Sequence, residues 1–294
     1  MTRLSVHLFG PFHVLLYERP VWGFTTAKDR LLLAYLAVER EKPSRREALA
    51  ELLWPERPQG IALANLRHTL STLRKTIQDH TAIPPFLVIT RQSLQLNPAA
   101  EVWTDVGSFQ LLIEEGLRSD HTAERLEQAV CCYSGPFLDG MLIRASPEVE
   151  NWIHSWRARY YQEFVLALDH LTRFYECRNA FAKALPYAYR MVELEPWGER
   201  ANHQLVRLLA LDGQRSTALA HYQRFEKILR EELGISPSGD TQRLCEQIRA
   251  SSPVADFPLT PQQFHNRLPV SQDGNDRRQQ NGIQRIQHRP EAKR

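Results

Sequence analysis

Carboxylates are missing from one stretch of this chain: no aspartate or glutamate occurs between Ile61 and Gln78. Other absences narrow the function classes. The four cysteines, Cys131, Cys132, Cys177 and Cys245, show no C-x-x-C or Cys/His ligand spacing, which excludes a zinc framework and a disulfide scaffold. They read instead as small core residues in a reducing compartment. No apolar run approaches membrane-spanning length, and Arg3 leads into an alternating pattern rather than a signal-peptide core, so a cytoplasmic protein without membrane contact is expected. H-E-x-x-H, G-x-S-x-G and the G-x-x-x-x-G-K-[ST] phosphate loop do not occur, so no enzyme, no cofactor and no Walker-type ATP site are expected.

What fills the acid-free stretch is periodic. Leu63, Leu66, Leu70, Leu73 and Ile77 alternate at spacings of three and four, which predicts a helix over 61–78 with one buried stripe. The opposite face carries Ala64, Asn65, His68, Ser71, Thr72 and Lys75, bordered by Arg67 and Arg74. Small residues allow a helix to seat deeply in a major groove. Amide and basic groups match base edges, and marginal cations match phosphates. A solvated surface helix has the same outline, so the neighbouring segments carry the distinction.

Those segments form a recognisable order. Residues 3–8 and 12–16 are strand-like, with a third extended piece around Val21 to Phe24. Thr26 is placed to cap a helix from Ala27 to about Arg40, with Leu31, Leu32, Ala34, Tyr35 and Val38 inward. Ser44 and Glu47 have capping-box spacing ahead of a second helix, whose apolar face is Ala48, Leu49, Leu52, Leu53 and Trp54. After the acid-free helix, residues 86–96 read as two short strands around a polar turn at Arg91 to Ser93, a wing that sets Arg91 against a DNA backbone or minor groove. The whole is a helix-turn-helix with a wing.

From about Asp105 the pattern is helical. Leu171, Phe174, Asn179, Ala184 and Leu185 recur 34 residues later as Leu205, Leu208, Gly213, Ala218 and Leu219, and Ala167 recurs as Ala201. That period is the signature of tetratricopeptide-like helix pairs, although an ordinary helical bundle with coincidental small residues has the same composition. Charge divides along the same line. Residues 1–96 carry 13 basic and 8 acidic side chains, whereas residues 97–252 carry 17 and 22, so a basic front precedes an acidic middle, fitting a polyanion-facing module joined to one that does not meet a polyanion. Residues 253–294 are rich in Pro, Gln, Asn and Arg and are expected to be a disordered polar tail.

The order of these parts resembles bacterial transcriptional activators of the Streptomyces antibiotic regulatory protein type. The matching stretches are LFGPFHV at 8–14, KDRLLLAYLA at 28–37, SRREALAELLWPE at 44–56, ALANLRHTLSTLRK at 62–75 and GQRSTALAHYQRFEKILREELGISPS at 213–238. The resemblance implies a mainly α protein: an OmpR-like α+β winged-helix domain at 1–97, then an all-α transcriptional activation domain at 98–252. It also implies that Asn65, Arg67, His68, Ser71, Thr72 and Lys75 face the groove of promoter DNA, and that Lys28, Arg45, Arg46, Arg74 and Arg91 meet phosphates. Expected partners are double-stranded DNA, RNA polymerase and a second copy on direct repeats. Many relatives have a Gly-Tyr pair in the wing where this chain has Arg91-Gln92-Ser93. In many, the activation domain also leads into a nucleotide-binding domain. FHNRLPV at 264–270 resembles the start of that junction, so a stand-alone or truncated regulator is expected.

A rival reading is a protein-interaction scaffold, with Trp152, Trp156, Tyr160, Tyr161 and Trp197 either as contact surface or as core. His68 as a general base is the enzymatic rival, and its place on a polar helix face favours a DNA contact.

Overall fold

The computed structural model describes residues 4–118, 122–141 and 146–250. The expected polar tail and the 264–270 junction lie outside the described residues.

Alternating burial builds the first sheet. Strand β1 (Leu4–His7) hides Leu4 and Val6, and β2 (His13–Leu16) hides Val14 and Leu16. They pair antiparallel, Leu4 opposite Leu16, through a register that puts those four side chains on one face. The third strand, β3, is Arg19–Pro20 rather than a piece around Val21 to Phe24. Left-handed Tyr17 and Glu18 close the hairpin at once, so Arg19 and Pro20 already oppose Leu16 and Leu15, and the Val21 amide makes a last bond to the Val14 carbonyl at 2.9 Å. Helix α1 (Ala27–Val38) follows, started by a full capping box between Thr26 and Asp29 and ending two residues short of Arg40. Its buried face includes Leu31, Leu32 and Ala34 as expected, while Tyr35 and Val38 are half-buried.

The second capping box does not form. Ser44–Arg45 is instead a short strand, β4, whose residues pair with Leu94 and Ser93, and α2 (Arg46–Leu53) starts from Arg45 without a side-chain cap. Cross-strand hydrogen bonds hold Ser44 extended, and the helix amide of Arg46 is satisfied by the Gln92 carbonyl at 2.9 Å. After a proline-bounded turn, α3 runs Gln59–Thr76, beginning and ending two residues earlier than the pattern predicts. The wing is β5 (Leu87–Ile89) and β6 (Ser93–Leu96).

The helical region begins inside the first sheet. Strand β7 (Val102–Thr104) pairs parallel with β1, completing the order β3-β2-β1-β7, and α4 (Asp105–Arg118) follows it directly. Helices α5 (Thr122–Cys132), α6 (Pro147–Glu176), α7 (Phe181–Leu194), α8 (Glu199–Leu211), α9 (Arg215–Ile228) and α10 (Gly239–Ala250) complete the described chain. The 34-residue period is real in the backbone. Asn179 and Gly213 both adopt left-handed φ, at 56° and 80°, and in each turn the next amide returns to the carbonyl five residues before it in the preceding helix. Ala167, Leu171 and Ala184 are buried where α6 meets α7, as are Ala201, Leu205 and Ala218 one period later.

A buried carboxylate ties the two regions. Asp105 accepts hydrogen bonds from the Leu8, Phe9 and Val106 amides at 2.8 to 2.9 Å, so the start of α4 caps the end of β1. Around it, Phe9 packs on Phe109, Tyr133 and Tyr160. Arg157 holds the Phe137 and Leu138 carbonyls at 2.6 and 2.7 Å, and the Leu138 amide bonds the Leu8 carbonyl. On the other side, the Trp152 and Trp156 indoles both donate to Glu39 at the end of α1, at 3.0 and 3.3 Å. Sheet, α1 and α6 therefore share one core. The cysteines divide: Cys245 is buried and Cys132 half-buried, but Cys131 and Cys177 are exposed, because each falls on the solvent side of its helix end.

Candidate nucleic-acid interface

Helix α3 packs its stripe against α1 and α2. Leu66, Leu70, Leu73 and the capping Ile77 are buried, Leu63 is only half-buried, and Ala62 and Thr69 take up the remaining buried positions. This rotation leaves an outer face centred on Ala64, His68, Ser71 and Lys75, all exposed. Asn65 and Thr72 are half-buried along one margin, and Arg67 and Arg74 line the other, Arg67 exposed and Arg74 half-buried. The seven predicted α3 residues thus fall on one side of one helix.

The helix end is held firmly. Gln78 turns into the left-handed region at φ 55°, and the Asp79 amide returns to the Arg74 carbonyl. The buried Asp79 carboxylate then takes the Arg74 Nε at 2.9 Å and the Leu87 amide at 3.0 Å. Arg74 therefore also fastens α3 to the first wing strand. Arg67 folds back, its Nε donating to the Leu63 carbonyl at 3.3 Å.

Three of the predicted phosphate contacts gather at the wing. Pairing of β4 with β6 sets Arg45 opposite Ser93, and the Arg46 backbone amide bonds Gln92, so both stand beside the turn that presents exposed Arg91. Thr90 shapes that turn: its hydroxyl accepts from the Gln92 and Ser93 amides at 3.2 and 2.9 Å. The Arg46 Nε is buried without a hydrogen-bond partner among the described residues. Lys28 lies elsewhere, its ammonium 4.7 Å from the centre of the Trp54 ring. Burial, then the nearby Arg57, lower its pKa. Arg57 was not in the sequence-based set, yet it lies in the turn between α2 and α3 beside Lys28. Its place between Pro55 and Pro58 was the available signal.

Among the described residues, no carboxylate comes within ion-pairing distance of Arg45, Arg67, Lys75 or Arg91. No group of three or more His, Cys, Asp or Glu there is placed to hold a metal, and no helix is long and apolar enough to cross a membrane. Of the large aromatics, Tyr160 is fully buried, Trp152, Trp156 and Tyr161 are half-buried, and Trp197 is 56% exposed. Most of that set is core or seam.

Comparison with known proteins matches this order of a winged helix-turn-helix continued by a helical repeat region. Residues 104–249 match the bacterial transcriptional activator domain. The transcriptional regulatory protein EmbR of Mycobacterium tuberculosis is 27% identical over 267 residues, covering 86% of this chain. The transcriptional regulator RedD of Streptomyces coelicolor is 25% identical over 250 residues, covering 80% of this chain and 68% of RedD. The regulatory protein AfsR of the same organism is 26% identical over 234 residues, covering 77% of this chain and 22% of AfsR. The chain spans 65% of the length of EmbR. The solved structure of M. tuberculosis EmbR in complex with a low affinity phosphopeptide has the same fold, with a TM-score of 0.65 at 24% identity over 86% of this chain and 67% of that one. Residues 104–249 thus carry a bacterial transcriptional activator domain, and the chain is similar over most of its length to regulators of the Streptomyces antibiotic regulatory protein type, which are not enzymes.

Proposed function

We propose that this chain activates transcription by reading promoter DNA with α3 in the major groove while the wing holds the backbone. The observation that carries the proposal is the outer face of α3: small and hydrogen-bonding side chains in the centre, cations at the margin and no carboxylate along its length. A groove-inserted helix needs this distribution, because base edges require donors and acceptors whereas phosphates require charge. Arg45, Arg46 and Arg91 at the wing, and Lys28 with Arg57 at the helix-turn-helix corner, supply backbone contacts on two sides of that helix. Regions 1–97 and 98–252 act as DNA-reading and activating parts. The helical region serves to contact RNA polymerase or a second copy bound to a direct repeat, and the site of action is the cytoplasm.

The test is selection of genomic fragments by the purified full chain, in parallel with a triple variant carrying Arg67→Ala, His68→Ala and Lys75→Ala. All three side chains are exposed, so the variant folds. A short enriched motif, lost in the variant, is the expected result. Enrichment that survives the three changes removes α3 as the reading element, and no enrichment by the folded wild type removes the DNA-reading proposal altogether.

A further inference from the structure

One residue on the outer face of α3 is chemically out of place. Ile61 is 50% exposed in the first turn, on a face otherwise made of small, polar and cationic groups. The buried stripe does not use it, since Ala62 takes the inward position beside it. Ile61, Ala64, Asn65 and His68 follow the i, i+3, i+4, i+7 relation and so share one side of the helix. Ala64 is exposed as well, so the N-terminal half of that side presents two adjacent apolar side chains next to one amide. The preceding Gly60 adds no bulk there, with open space where a Cβ would stand.

In helix-turn-helix proteins the N-terminal residues of the second helix are those that meet base edges. The major groove offers one apolar group at those edges, the C5-methyl of thymine, and an asparagine pairs bidentately with the N6 and N7 of adenine. We propose that Ile61, with Ala64, is a specificity-determining residue that reads the thymine methyl, beside an adenine read by Asn65. The inference rests on the groove-reading role of α3 and adds the base class recognised by its first turns. The preferred site is therefore an A·T step at the position the N-terminal half of α3 covers.

The test exchanges the methyl and leaves the protein alone. The full chain selects its preferred site from random-sequence duplexes, and each thymine of that site is then replaced singly by deoxyuridine, which keeps every hydrogen-bonding group and removes only the methyl. Wild type is expected to lose about fourfold in affinity at one or two positions, the transfer free energy of one buried carbon group. The same deoxyuridine changes are expected to have no effect on Ile61→Ala, whose exposed position leaves the fold intact, and to keep their effect on Asn65→Ala. Equal binding to thymine and deoxyuridine throughout overturns the inference while leaving DNA reading in place. So does a deoxyuridine penalty that persists undiminished in Ile61→Ala, or a selected site without A·T pairs. Failure to select any sequence overturns the groove-reading role itself, and this inference with it.

Discussion

The first hundred residues and the helical remainder use their cations in opposite ways. Along the later helices, arginines and lysines are neutralised one turn away: Arg118 by Glu114, Arg159 by Glu163, Arg190 by Glu193, Lys227 by Glu231 and Arg230 by Glu226. Such exposed pairs contribute a few tenths of a kcal/mol each. Among the described residues, Arg67 and Lys75 on α3 and Arg91 at the wing apex have no such partner, Arg74 being taken up by Asp79, although pairing one turn apart was available to any glutamate placed there. A helix that forgoes cheap pairing leaves its charge to an external anion, and a polyanion supplies the largest return through released counterions. The acidic excess of the later region agrees with the proposed division of roles, since like charge repels a polyanion from those helices.

The contrast has a function only while the two regions move as one body, and the largest predicted effect breaks that connection. Replacing Asp105 by Ala leaves the Leu8, Phe9 and Val106 amides without their acceptor in a buried seam. At ~1–3 kcal/mol for each unsatisfied buried group, the loss is expected to be about 3 kcal/mol or more. Urea unfolding followed by circular dichroism measures it. A change below about 1 kcal/mol would mean that β1 and α4 are joined by packing alone. Glutamate at the same position is expected to rescue little, because the extra methylene meets a filled core.

Much of this architecture was legible in the sequence, and the failures share a physical cause. The α3 stripe, the Thr26 cap and the 34-residue repeat are local patterns, set by contacts within one or two turns, and each is present in the structure. Ser44 also carried a local helix-start signal, but hydrogen bonds to β6, fifty residues on, hold it extended. The seam was invisible for the same reason: Asp105 and Leu8 are 97 residues apart, and Trp152 and Glu39 are 113 apart. A single sequence has no period linking them. At the candidate interface, the composition of α3 identified its outward residues, whereas the second task of Arg74, holding Asp79, and the proximity of Arg57 to Lys28 depend on tertiary placement.

A smaller effect sharpens the charge comparison directly. Changing Lys75 to Gln on the face of α3 is expected to reduce the slope of log affinity against log salt by about 0.9, the signature of one lost phosphate contact. Changing Lys227 to Gln removes a cation paired with Glu231 on α9 and is expected to leave the slope unchanged. Titration of both variants with a selected duplex at several salt concentrations compares them. Equal slopes for the two would erase the distinction between the regions.

The smallest effect concerns pH, and here the two ends of the seam oppose each other. Burial pushes the Asp105 carboxyl up to about 6, against the pull of its amide donors, so the folded state takes up a proton between the ordinary carboxylate range and pH 6. That contribution to stability is full in acid and is lost as pH rises through 6. His7, at the end of β1, stacks on His13 with ring centres 4.1 Å apart, and burial followed by that neighbour lowers its pKa to about 4. The folded state therefore excludes a proton that the unfolded chain accepts below 6.5, and stability from His7 is lost as pH falls from 6.5 towards 4. The two terms have opposite signs in the wild type. Measured against wild type in thermal melts from pH 7 to 4.5, His7→Asn is expected to gain relative stability on acidification, and Asp105→Asn to lose it. The effect of His7 is the weaker, because half of its ring meets solvent and water screens the interaction. Parallel pH profiles for wild type and both variants would mean that neither group changes protonation on folding, and that the seam is held by geometry without a contribution from proton binding.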